Sequence, residues 1–265
     1  MYGAILGDII GSPYEFCRGP KSKEFPLFSK KSYFTDDSVM TIAVAQGILT
    51  ARLEARERQM KESLIDSMHW WGRRFPNAGY GGAFYRWLFK GGREPYNSWG
   101  NGSAMRVSSV GWLFDTLERT RQVARWSAEV THNHPEGVKG ADSVASVIWM
   151  ARNGRSKEEI KSFVEEEFGY DLSRTCEQIR PTYEFSESCQ GTVPEAITAF
   201  LEGSDFEDVI RTAVSLGGDC DTLTCIAGSM AEALYPIPAS LQEKCLDYST
   251  KEMKEALEQF EGFRK

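Results

Sequence analysis

Apolar positions along this chain recur at the three-and-four spacing of helices, and no stretch sustains the apolar-polar alternation of a half-buried strand. Residues 2 to 11 are almost wholly apolar with glycines four apart, which predicts a buried helix that a neighbour can approach closely. Pro13 breaks that helix within 12 to 16, and 17 to 31 reads as a surface loop. Further helices are predicted over 36 to about 49, over 60 to 74 with Leu64, Met68 and Trp71 on one face, and over 83 to 89. Others follow over 107 to 114, 116 to 130, 135 to 152 and 156 to 168. Residues 170 to 190 lack helical periodicity and read as an irregular excursion. Thr192 restarts a helix to about 201 with Pro194 near its first turn, and helices over 205 to 216, 223 to 234, 239 to 248 and 251 to 260 complete the chain. With short connections and no linker, the expected fold is all-α, one domain over 1 to 265.

Composition narrows the class. A chain of 265 residues with 41% hydrophobic content has enough apolar surface for a substantial core. A formal net charge of -7, with no long Lys/Arg block, argues against a general grip on nucleic acid. The apolar runs are interrupted by charge or glycine well short of a membrane span. Six cysteines without a CxxC pair or zinc-like spacing to the three histidines read as reduced thiols, and with no signal peptide ahead of them the expected location is cytoplasmic.

Two acidic stretches carry the candidate chemistry. Thr35-Asp36-Asp37-Ser38 and Gly217-Gly218-Asp219-Cys220-Asp221-Thr222 each place two carboxylates and a hydroxyl directly before an apolar helical run. One acidic or hydroxyl side chain suffices to cap a helix start. Four carboxylates brought together by two helix starts would repel one another unless a positive charge lay between them, and oxygen donors suit a hard divalent cation such as Mg2+ or Mn2+. Capping and metal binding are both open for either stretch alone; as a pair they read as halves of one metal centre.

Other features are weaker. The segment from Tyr96 through Ser98, Trp99, Gly100, Asn101, Gly102 and Ser103 opens onto an apolar helix, so its backbone amides suit an anion, or it is a mere turn. Glu15 on its own is a loop carboxylate. His132 and His134 precede Pro135 and could form a metal pair but lack a third zinc-type ligand, and His134 reads as an exposed helix-start residue. Asp8, in the apolar first helix, either supports a metal shell from behind or satisfies a helix end. Tyr80-Gly81-Gly82 either lines a pocket entrance or makes a tight connection.

Five motifs resemble, in order, those of the ADP-ribosylglycohydrolases, a family that includes the dinitrogenase reductase activating glycohydrolase. They are Gly7-Asp8-x-x-Gly11-x-x-x-Glu15, Thr35-Asp36-Asp37-Ser38, Gly100-Asn101-Gly102-Ser103-Ala104-Met105-Arg106, Thr131-His132 and Gly217-Gly218-Asp219-Cys220-Asp221-Thr222. The resemblance implies a compact orthogonal bundle of helices holding two divalent cations, Mg2+ or Mn2+, and cleaving the glycosidic bond between ADP-ribose and its acceptor. By position, Thr35, Asp36, Asp37, Asp219, Asp221 and Thr222 would be the metal ligands. Glu15 would be the acid/base residue, with Asp36 and Asp221 completing the catalytic set.

The same resemblance has Ser98, Trp99, Gly100, Asn101 and Gly102 wrapping the phosphates and distal ribose, His132 contacting the diphosphate or ribose, and 188 to 191 forming a wall toward the adenine. Ser38 and Cys220 stand where Thr is common, and Trp99 where Tyr is. Cys220 would make the site oxidisable if exposed. The implied partners are an ADP-ribosylated protein, with arginine or serine as acceptor, or another ADP-ribose conjugate, with ADP-ribose as product and a monomer as the expected state. The competing classes are a noncatalytic ADP-ribose binder or crystallin-like structural relative, and a metal phosphoesterase using the same carboxylates.

Overall fold

The computed structural model describes residues 1–16 and 19–264; Cys17 and Arg18, at the head of the expected surface loop, lie outside the described residues. The helix at the centre of the molecule is α1, Tyr2–Gly11, buried along its whole length apart from Tyr2. A helix with apolar or small residues all round has no face to offer water, so it must be enclosed. Its partner is α13, Cys220–Leu234, which is equally buried.

Gly3, Gly7 and Gly11 form the seam between the two. A methyl group added at Gly7 would lie 2.2 Å from the Thr224 carbonyl oxygen, and one at Gly3 2.2 Å from that of Gly228. Backbone therefore packs on backbone. At the far end of the seam the Gly3 amide donates to Glu232 Oε2 at 2.8 Å, and Arg264 donates to Glu232 Oε1 at 2.7 Å.

The chain proceeds from α1 through a single 3-10 turn at Ser12–Tyr14 to α2 (Asp36–Ala51), α3 (Glu57–Arg74) and α4 (Gly82–Phe89). Then come α5 (Gly102–Met105), α6 (Ser108–Leu113), α7 (Leu117–Glu129), α8 (Pro135–Arg152) and α9 (Lys157–Phe168). After α10 (Cys176–Ile179) follow α11 (Cys189–Glu202), α12 (Phe206–Leu216), α13, α14 (Ala239–Tyr248) and α15 (Lys251–Glu261). No strand occurs among the described residues, which hold only an isolated bridge between Gly100 and Ser188. None of the described helices is long and apolar enough to cross a membrane.

Side-chain oxygens start many of these helices. Thr35, Thr116, Ser156, Thr175, Ser188, Asp205 and Thr250 each accept a backbone amide of the first turn, and Ser156 with Glu159 makes a full capping box. Helix α3 begins at Glu57 rather than 60, the short α5 was not expected, and two further helix starts differ near the cleft. Helix α11 begins at Cys189, not Thr192, because the Ser188 hydroxyl accepts the Gly191 amide at 3.1 Å, so Pro194 lies inside the helix. Helix α13 begins at Cys220, with Asp219 at its cap, because Leu223 N already bonds the Asp219 carbonyl at 2.9 Å.

The expected irregular stretch 170 to 190 carries one short helix, α10, and is tied down from outside. Lys21 reaches across to donate to the carbonyls of Arg180 and Leu216 at 2.8 and 2.5 Å.

Candidate active site

The first turns of α2 and α13 meet at the floor of a cleft of about 580 Å³. Thr222 Oγ1 donates to Asp37 Oδ2 at 3.1 Å and so joins the two helix starts directly. Asp36, Asp37, Asp219, Asp221 and Thr222 all line the cleft, as does Glu15 from the end of the 3-10 turn. Thr35 is buried beneath it, with its hydroxyl 3.2 Å from Asp37 Oδ2.

Asp8 governs where α2 begins. Its Oδ2 accepts the backbone amides of Thr35 and Ser38 at 2.8 and 3.1 Å and also the Ser38 hydroxyl, while Oδ1 accepts the Thr35 hydroxyl at 2.8 Å. One carboxylate borne by α1 thus satisfies amides that a helix start leaves without intrahelical partners. Of the two readings open from sequence, the helix-end role is met in full, and Asp8 also lies behind the acidic cluster. Ser38 is bound to Asp8 and holds it in place.

Carboxylates gather here in two overlapping trios. Asp8, Asp37 and Asp221 each present an oxygen within 4.8 Å of the others, and so do Glu15, Asp219 and Asp221. Asp36 lies half-buried on the cleft wall and belongs to neither trio, although its charge is felt by Asp37. Burial, reinforced by neighbouring negative charge, pushes Asp37 and Asp221 well above the ordinary carboxylate range. Burial likewise lifts Asp8 to about 6 against the hydrogen bonds from Ser38 and Thr35. For Glu15, burial and then the Asp219 charge raise the carboxyl to about 7.

These residues fit divalent cations. Asp37 Oδ1 is buried without a hydrogen-bond partner among the described residues, and an oxygen in that position calls for a donor or a cation. The donor set is entirely oxygen, as hard cations such as Mg2+, Mn2+ or Ca2+ require.

Above the carboxylates runs the glycine loop. Asn101 N donates to the Glu187 carbonyl at 2.8 Å and Cys189 N to the Trp99 carbonyl at 3.0 Å, so this loop is laced to 187 to 189. Ser98, Trp99, Gly100, Asn101 and Gly102 line the cleft. Trp99 is exposed, its ring 5.8 Å from that of His134 in an edge-on contact. The Asn101 amide nitrogen is engaged inside the protein: it donates to Asp219 Oδ2 at 2.7 Å and to Thr192 Oγ1 at 3.1 Å. It therefore links the glycine loop to the acidic floor.

His132 is buried beside this loop. Burial and then the charge of Arg106 hold its ring well below the usual imidazole range. His134, expected to be an exposed helix-start residue, is the cap of α8, its Nδ1 accepting the Glu136 amide at 3.2 Å.

Of the expected wall at 188 to 191, only Ser188 faces the cleft; the wall is built from Phe185, Ser186, Glu187 and Ser188, three residues earlier. The cause is the early start of α11, which turns Cys189 inward to place its Sγ 3.1 Å from the Gly100 carbonyl. Gly81 and Gly82 line the entrance while Tyr80 is buried. Cys220 is fully buried and is not presented to the cleft.

No side-chain role was expected for Tyr96, Arg106 or Glu187, all of which line the cleft. Tyr96 and Arg106 had a signal, as the ends of the glycine segment, and Glu187 had none.

A family model for ADP-ribosylglycohydrolase matches residues 1–263. The chain belongs to the ADP-ribosylglycohydrolase family. The family is one of hydrolases, and the glycosidic-bond hydrolase class follows from membership. ADP-ribosylhydrolase ARH3 from Homo sapiens is 27% identical over 330 residues, covering 94% of this chain and 88% of that protein. ADP-ribosylarginine hydrolase Tri1 from Pseudomonas putida (strain GB-1) is 24% identical over 269 residues, covering 89% of this chain and 70% of Tri1. A solved structure described as an ADP-ribosylglycohydrolase-related protein complex superimposes with a TM-score of 0.71 at 21% identity, covering 97% of this chain and 95% of that one, which gives the same all-helical ADP-ribosylglycohydrolase fold.

Proposed function

We propose that residues 1 to 265 fold as one domain and form a divalent-cation-dependent hydrolase, which cleaves the glycosidic bond between ADP-ribose and an acceptor, with a protein arginine or serine side chain as the favoured acceptor. The observation that carries the reading is the meeting of Glu15, Asp219 and Asp221 within 4.8 Å beneath a glycine loop in a single cleft. The names of ARH3 and Tri1 support the substrate class.

Asp36, Asp37, Asp219, Asp221, Thr222 and Thr35 would hold two cations, Mg2+ or Mn2+, with Asp8 keeping the α2 segment in place. Bound there, such ions supply positive charge that orients ribose hydroxyls and lowers the pKa of a coordinated water. Glu15 is half-buried at the cleft edge and moves the proton, to the leaving nitrogen or oxygen or from the attacking water, as oxocarbenium character develops at the anomeric carbon.

The Gly100–Gly102 turn has no Cβ at its two glycines, which lets backbone approach the phosphates, and Ser98 and Trp99 flank it. Trp99 offers a ring face to a sugar. We assign the protein to the cytoplasm, where its buried thiols Cys176, Cys189, Cys225 and Cys245 would stay reduced, and to a monomeric state.

A hydrolysis panel on arginine-linked and serine-linked ADP-ribosyl proteins, with and without chelator, tests the proposal. Release of ADP-ribose from one linkage, lost in chelator and restored by Mg2+ or Mn2+, is expected. Binding of ADP-ribose with no turnover on any linkage would favour a noncatalytic binder. Hydrolysis of simple phosphate esters instead would favour a phosphoesterase.

A further inference from the structure

Arg106 is the largest fully buried side chain among the described residues, and its guanidinium has no carboxylate among its hydrogen-bond partners there. Nη2 donates to the Ser127 carbonyl at 2.9 Å and to Thr131 Oγ1 at 2.8 Å, while Nε has no partner among the described residues. The ring of Phe84 lies 5.7 Å from the guanidinium carbon. Burial lowers the Arg106 pKa to about 10, so the group remains charged at neutral pH. A buried cation with two neutral partners is retained at a cost in stability, which calls for a role elsewhere.

The role follows from proton counting. Thr131 Oγ1 is also 2.7 Å from His132 Nδ1, in a residue with no solvent exposure. Arginine only donates, so Thr131 Oγ1 must accept from Arg106. Its single hydroxyl proton then has one acceptor among the described residues, His132 Nδ1. If Nδ1 carried the proton instead, Oγ1 would face two donors and its own proton would have nowhere to go. His132 is thereby fixed with Nδ1 as acceptor and the proton on Nε2.

Nε2 points to the underside of the glycine loop. A Cβ built at Gly102 would lie 3.1 Å from it and one at Gly100 3.5 Å. Both glycines therefore keep the space over the Nε2–H open, and His132, Gly100 and Gly102 all line the cleft.

We infer that Arg106 is a positioning residue: acting through Thr131, it locks His132 as a neutral Nε2–H donor aimed at an anionic oxygen of the ligand held on the glycine loop. Being neutral, the ring acts as a directed donor, while the buried Arg106 charge behind it supplies the attraction for the anion. The inference rests on reading the cleft as an ADP-ribose site.

The test uses the full-length chain labelled with 15N-histidine. Long-range 1H–15N spectra distinguish protonated from unprotonated ring nitrogens, and His132 is assigned by the signal lost in His132→Gln. The expected wild-type pattern has the proton on Nε2. Thr131→Val, which keeps the shape and removes the hydroxyl, should abolish the single-tautomer pattern and weaken ADP-ribose binding by roughly ten- to a hundredfold in calorimetry. Thr131→Ser should restore both.

A wild-type Nδ1 proton, or an unchanged tautomer and affinity in Thr131→Val, would overturn the inference. If Thr131→Val does not fold, the wild-type tautomer and the behaviour of Thr131→Ser still decide it. Wild-type protein with the Nε2–H tautomer but no affinity for ADP-ribose would refute the ligand reading of the cleft and leave the Arg106–Thr131–His132 relay supported.

Discussion

Thr222 Oγ1 donates to Asp37 Oδ2 at 3.1 Å across 185 positions of sequence, and this bond couples the start of α13 to the start of α2. Without it Asp37 Oδ2 loses the Thr222 proton and keeps the 3.2 Å approach of the Thr35 hydroxyl, which also donates to Asp8 Oδ1 at 2.8 Å, while Asp37 Oδ1 has no hydrogen-bond partner among the described residues. Thr222→Val is expected to lower stability by about 1 to 3 kcal/mol, the cost of an unpaired buried acceptor. Hydrolysis should fall at least tenfold, with Thr222→Ser close to wild type. Denaturant melts and ADP-ribose release measure the two effects. A valine variant equal to wild type in both would remove the coupling.

Chelated protein should become less stable as the pH rises. The folded carboxyls of Asp8, Asp37 and Asp221 sit above the unfolded value of about 3.9. The folded state then binds protons more tightly than the unfolded chain. That contribution is complete below the unfolded pKa and is lost as pH climbs through the folded one, about 6 for Asp8. In chelator, the melting temperature is expected to be higher at about pH 5 than at about pH 8, with Mg2+ or Mn2+ raising it mainly at the higher pH by linkage. A chelated Tm that rises over that range, or cation stabilisation equal at both pH values, would contradict the assignment.

Asp37→Asn removes one negative charge from the crowded trio while keeping its shape. In chelator at neutral pH the variant should melt no lower than wild type, since mutual repulsion is relieved. With Mg2+ or Mn2+ added, wild type should overtake it and the variant should show no turnover. Thermal scans in both conditions, paired with the hydrolysis assay, make the comparison. Loss of stability in chelator would mean that Asp37 contributes by structure alone.

For Glu15→Gln the expected result is ADP-ribose affinity within a few-fold of wild type and turnover reduced by about two to four orders of magnitude, the usual contribution of a positioned proton donor or acceptor. Calorimetry and single-turnover kinetics separate binding from chemistry. Full turnover in this variant would take the proton-transfer role from Glu15.

Gly7→Ala places a methyl 2.2 Å from the Thr224 carbonyl oxygen, where only a shift of α1 or α13 makes room. The expected destabilisation is about 1 to 3 kcal/mol or more. Because Asp8 is the next residue and α13 carries Asp221, the same shift should weaken cation-induced stabilisation. An alanine variant with wild-type melting and cation response would show that the seam has slack.

The two acidic helix starts were legible because capping residues and carboxylates are local signals. Thr35, Asp36 and Asp37 announce α2, and the hydroxyl and acids from Asp219 to Thr222 announce α13. The helix periods were equally clear. Pairings between distant residues were not. Asn101 reads from sequence as part of a glycine loop suited to a ligand's phosphates, and only the folded chain brings Asp219 to within 2.7 Å of its nitrogen. Phe185 and Glu187 sit in an irregular stretch whose place depends on the tether from Lys21 and the lacing to the glycine loop. Asp8 was open between two roles because its partners, Thr35 and Ser38, lie a loop away.

The glycine seam between α1 and α13 also bears on biosynthesis. During translation the first helix leaves the ribosome as an apolar rod whose mate is encoded more than two hundred residues downstream. Until Cys220–Leu234 emerges, Asp8 has no Asp221 to face, and the nascent chain exposes sticky surface in place of a finished pocket. Holdase chaperones should therefore engage the early fragment, and release should coincide with synthesis of the thirteenth helix.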